Sequence, residues 1–195
     1  MKLKSKSKSL LAAVLAITIA TTGCSAQWIN IALQDLPVLT QMALNIATLV
    51  SALVSGQQAN PGDVAVIQNI SAQASRDLNL LQSLYAQYKA NPSATTLQKI
   101  QNAISDLNQN LPALIESAHI SNLTLAARIT AAVNLILTTV NNFSALMPQT
   151  FPTTSQRLLI APPNAKQLKQ QWNQQICATT GNAHFDAALL NCAIR

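Results

Sequence analysis

The chain has 195 residues, only 9% of them charged, and a formal charge of +6. Lys2, Lys4, Lys6 and Lys8 supply four of those units, so the rest holds 6 − 4 = +2, with Arg76, Lys89, Lys99, Arg128, Arg157, Lys166, Lys169 and Arg195 scattered along it. That spread offers no clustered basic face for nucleic acid, and with Glu116 as the sole glutamate the four-glutamate di-iron centres that helical bundles can house are excluded.

Residues 1–26 have the layout of an export signal. The four lysines form a basic n-region, and Leu10 to Ala20 is an apolar stretch too short for a bilayer core of about 30 Å. Thr21-Thr22-Gly23-Cys24-Ser25 follows. This stretch resembles the lipobox of bacterial lipoproteins at Gly23 and Cys24, while Thr21 stands where leucine is usual. The resemblance implies a signal peptide of residues 1–23, lipid attachment at Cys24 and anchoring in the cell envelope, with Ser25 indicating the outer membrane of a two-membrane host. Two alternatives stand beside it. One is simple secretion to the periplasm, with cleavage after Ala26 at an A-x-A-like site made by Cys24 and Ala26; the other is an uncleaved anchor. Residues 24–34 are expected to be a tether.

Four segments then carry helical periodicity. In the first, Leu36, Leu39, Ala43, Ile46, Val50 and Leu53 step by three or four, with Asp35 as cap and Pro37 in the first turn. Leu36 to Val54 is uncharged and near membrane-spanning length, so a membrane-active or pore-associated protein using this segment is the alternative to a buried helix. Gln41 and Asn45 favour the buried helix.

Asn60-Pro61-Gly62-Asp63 caps the second segment, whose seam is Ile67, Ile70, Ala74, Leu78, Leu81, Tyr85 and Tyr88. Both tyrosines are expected in the core. Asn91-Pro92-Ser93 opens the third in the same way, with Asn91 as polar cap and Pro92 near the first helical position, and its seam is Leu97, Ile100, Ile104, Leu107, Leu111, Leu114 and Ala118; Gln101 and Asn108 fall on the opposite face, and Pro112 is expected to kink or split the helix. Ser121 is placed to cap the fourth, with seam Leu125, Ile129, Ala132, Ile136, Val140, Phe143 and Met147. Long helices on short connections predict an all-α fold, an antiparallel up-down four-helix bundle over residues 35–147.

Pro148, Pro152, Pro162 and Pro163 mark 148–163 as a linker. Beyond it, Asn164-Ala165-Lys166-Gln167 reads as a capping-box variant, and a turn at Gly181-Asn182 leads to a last short helix. Residues 164–195 are therefore expected to form a helical hairpin with its own small core of Trp172, Ile176, Phe185, Leu189 and Leu190. With Cys24 consumed by processing, Cys177 and Cys192 remain, and an isolated pair in an oxidising compartment predicts a disulfide that staples this hairpin. Zinc fails for want of ligands, since His184 alone stands nearby.

Catalytic signatures are missing. Glu116 and His119 have the Glu-x-x-His spacing without partners, and His184-Phe185-Asp186 lacks a nucleophile. No nucleophile elbow, phosphate loop or dinucleotide turn occurs. The expectation is a non-enzymatic envelope lipoprotein without cofactor or metal, a helical-bundle scaffold or binding module. Its expected partners are the membrane, through its N-terminal lipid, and an envelope protein.

Overall fold

A computed structural model describes residues 28–50, 60–147, 163–181 and 183–195. The export signal, Cys24, Leu53 and residues 148–162 lie outside the described residues, as do the side chains of His184 and Phe185. Every regular element described is a helix: α1 over residues 28–50, α2 over Pro61–Ala90, α3 over Ala94–Ser117, α4 over Leu123–Leu146, α5 over Ala165–Gln175 and α6 over Ala183–Leu189. The fold is an all-α helical bundle, and the described residues hold no strand.

Local chemistry sets the helix boundaries. Asn60 accepts from the Gly62 N–H at 2.9 Å ahead of Pro61, which occupies the first helical position where its missing N–H leaves nothing unpaired. Asn91 ends α2, and Ser93 opens α3 by accepting from the Thr96 N–H at 3.1 Å, so Pro92 precedes the cap instead of following it. At α4 the cap is Asn122, which accepts from the Leu125 N–H at 3.0 Å. Ser121, expected in that role, instead donates its N–H to the buried Asp63 carboxylate at 3.0 Å, pinning the turn to the start of α2. The capping box at Asn164 and Gln167 is present, with both bonds at 3.0 Å.

Two expectations need correction. Residues 28–34 belong to α1 and are no tether: Ile29 and Ala32 extend the Leu36–Leu39 seam backwards in steps of three and four, and both are buried together with Trp28. Asp35 therefore sits inside the helix and does not cap it. Helix α3 also runs unbroken through Pro112. The proline deletes one backbone bond near the helix end, and the buried Leu107 and Leu111 beside it hold the segment in place.

One hydrophobic core joins the seams of α1 to α4 with Leu168, Trp172, Ile176, Leu189, Cys192 and Ile194. Residues 164–195 thus share the bundle's core, and Leu190, expected inside, is 79% exposed. Trp28 meets Tyr85 edge-on at 5.4 Å and Tyr88 at 6.0 Å, while the Ser71 hydroxyl donates to the Ala43 carbonyl at 2.7 Å. Across α3 and α4, Asn108 and Asn141 exchange amide bonds of 2.8 and 2.9 Å. Within 36–50, Leu36, Leu39, Met42, Ala43, Ile46, Leu49 and Val50 are buried and Leu44 is exposed, so the apolar face of α1 is spent on the core. By length and hydropathy the one described helix able to cross a membrane is α4, whose seam is buried in the same core.

Candidate functional site

The short α5 places Leu168, Trp172 and Ile176 on one face, and all three are buried. The chain then turns at Gly181, whose φ of 84° lies in the left-handed region that favours glycine. It returns so that Cys177 and Cys192 form a disulfide with their Cα atoms 5.7 Å apart. Around that bond lies a buried polar clasp. The Cys192 carbonyl accepts from the Trp172 indole N–H at 2.9 Å and from the Asn45 amide at 3.0 Å, while Gln41 donates to the Asn45 oxygen at 2.8 Å. Asn173 closes the next step, donating to the Ile194 carbonyl at 3.0 Å and accepting from the Ile194 N–H at 2.9 Å.

Arg128 of α4 ties in the exit of α5, donating to the carbonyl of Ile176 and, at 2.6 Å, to that of Ala178. Burial lowers the Arg128 pKa and the nearby Asp186 carboxylate opposes that shift. Asp186 accepts from the Thr180 N–H at 2.6 Å, the Thr180 hydroxyl at 2.9 Å and the Gly181 N–H at 3.0 Å. These bonds, the Thr180 amide foremost, hold its carboxyl below the usual carboxylate range. The Asp of the His184-Phe185-Asp186 stretch is thus committed to a turn. Glu116 and His119 are both exposed where α3 ends, with His119 Nδ1 3.1 Å from the Ser117 carbonyl. Among the described residues no three His, Cys, Asp or Glu side chains gather as a metal site would require.

A second buried polar group lies where α1 meets the start of α5. Asp35 is 3% exposed, accepts from the Ala165 N–H, and keeps Oδ2 without a partner. Burial pushes its pKa up to about 6, with the Ala165 bond pulling the other way.

Between α4 and α5 runs an open groove of about 420 Å³ lined by Gln167, Gln170, Gln171 and Gln174 with Thr138 and Asn142. The four glutamines recur at intervals of three, one and three, which puts them on one helical face. Sequence reasoning passed over this amide face because glutamine carries no reactive group, although its spacing was readable. The lining holds no charge, so its chemistry is neutral hydrogen bonding. Compared with known protein families, with curated proteins and with solved structures, the chain matches none of them.

Proposed function

We propose that this protein is a non-enzymatic lipoprotein of the bacterial cell envelope, anchored through lipid on Cys24, whose helical bundle serves as a scaffold or binding module. The observation that carries the reading is the Cys177–Cys192 disulfide, which belongs to an oxidising compartment, in a chain with a lipobox-like stretch ending at Cys24. The architecture we infer is an antiparallel up-down four-helix bundle, α1 to α4, with the disulfide-stapled segment 164–195 laid against it. Supporting it, Trp28 at the start of α1 meets Tyr85 and Tyr88 late in α2, and Asp63 early in α2 bonds to the turn between α3 and α4. The uncharged α4–α5 groove suits a neutral polar partner in the envelope, and the reading is supported by Asp63 and Asp186, which hold turns, and by His119, which is exposed at the end of α3.

The experiment is metabolic labelling with a clickable fatty acid. Wild-type protein is expected to take up label and to lose residues 1–23, whereas Cys24→Ala stays unlabelled and unprocessed. Equal labelling of both proteins refutes the anchor.

A further inference from the structure

The charges of the bundle are polarised from end to end. One end is built from the start of α1, the end of α2 and the start of α3, as the contacts of Trp28 with Tyr85 and Tyr88 require. Three exposed lysines stand near this end. Lys89 is the penultimate residue of α2, and Lys99 lies five residues into α3, about 8 Å along the axis. Lys166 is the second residue of α5, whose first residue bonds to Asp35, itself seven residues or about 10 Å into α1.

The acids stand elsewhere. Asp77 and Asp106 are twelve or more residues from the same helix ends, about 18 Å or farther. Asp63 and Glu116 belong to the opposite end, and so does Asp186, which feels Arg128 near the start of α4. Asp35, the one acid at the height of the lysines, is buried. Residues 1–27, 51–59 and 148–162 contain no Asp or Glu, so the rest of the chain has no acid to add to this end.

Trp28 follows Cys24 by four residues, which span at most about 14 Å when fully extended. A bundle held at Cys24 is therefore kept within about one Debye length or two of the surface that holds it, close enough for the lysines to act and far enough for the acids to be screened. We propose that this end is a docking face for an anionic membrane surface, on which Lys89, Lys99 and Lys166 rest, so that the bundle stands on the bilayer with α1 pointing away from it. The tether in this picture rests on the lipid-anchor reading; the face rests on the charge placement. Each lysine close to anionic headgroups raises partitioning about fivefold, so the three together orient an already anchored molecule without serving as an anchor themselves.

The test uses the chain from Cys24 onward, which contains every described helix. With Cys177 and Cys192 bonded, Cys24 is the one free thiol, and it can be coupled to a maleimide phospholipid in vesicles. Acetylation rates of the three lysines are read by mass spectrometry on vesicles with 30% phosphatidylglycerol and on pure phosphatidylcholine. Carbodiimide labelling of Asp77 and Glu116 serves as the reference. The expected result is at least a threefold fall in the lysine rates on the anionic vesicles at low salt, recovery at high salt, and unchanged carboxylate labelling. Equal lysine rates on both lipids, or equal protection of lysines and Glu116, overturn the proposal. Because the coupling is chemical, the result stands apart from fatty-acid labelling, which judges the anchor itself.

Discussion

Asp35 shows how a single buried group contributes to the pH response of the fold. Its carboxyl holds a proton up to pH about 6 in the folded chain, against an ordinary value of 3.8, because burial leaves Oδ2 without a partner. A pKa raised by folding means that the folded state binds the proton more tightly. The contribution to stability is therefore full below pH about 4 and is lost as the pH rises through about 6, after which the fold bears a buried ionised carboxylate. Asp35→Asn keeps an acceptor for the Ala165 N–H and cannot ionise. It is expected to raise Tm by several degrees at pH 7.5, for roughly 1 to 2 kcal/mol, and by little at pH 4. Melts of both proteins at the two pH values check this, and an equal gain at both would show that the carboxylate charge is not the cause.

At the scale of the element, α3 carries the clearest register. Ile104 and Leu107 are buried at its middle, and truncating either to Ala is expected to cost about 2 to 5 kcal/mol through lost burial and the cavity left behind. Gln101 is exposed, and its replacement by Ala should stay within about half a kcal/mol. Asn108, which the periodicity puts on the same outer face, behaves differently. Half-buried, it exchanges two amide bonds with Asn141 and donates to the Ile104 carbonyl, so Asn108→Ala is expected to cost about 1 kcal/mol, with a comparable coupling in the Asn108–Asn141 double-mutant cycle. Denaturant unfolding of the four variants reads this directly. The contrast marks what periodicity reveals. Apolar spacing located the α2, α3 and α4 seams, and polar residues beside helix starts located the Asn60 and Asn164 caps, because both depend on neighbours within one turn; at α3 the cap is Ser93, two residues beyond the expected Asn91. The spacing was silent on Asn108–Asn141, on Asn45 with Cys192, and on Asp35 with Ala165, since a polar side chain announces its partner only when the partner's place in space is known. The start of α1 was readable in Ile29 and Ala32 and was masked by Asp35-Leu36-Pro37, which imitates a helix start so well that the seam before it goes unnoticed.

For the whole molecule, the single core makes residues 164–195 part of one folding unit. Reducing the Cys177–Cys192 bond, whose partners are 15 residues apart, is expected to cost about 3 kcal/mol and to lower one cooperative transition by roughly 6 to 12 °C. Thermal melts with and without reductant, and of Cys177→Ser with Cys192→Ser, measure it. A separate early transition assigned to α5 and α6 would mean that the segment folds on its own. The clasp at Cys192 also imposes an order in time. Asn45 is made 147 residues before the carbonyl that receives its amide, and the Trp172 indole waits on the same atom. On a chain that emerges from its N-terminus, α1 cannot finish its inward hydrogen bonding until residue 192 arrives, however well α2 and α3 pair with it beforehand. Completion of this clasp thus waits on the synthesis of residue 192, and a nascent chain stopped short of that carbonyl keeps a polar opening in its first helix that a chaperone or an export channel could still grip.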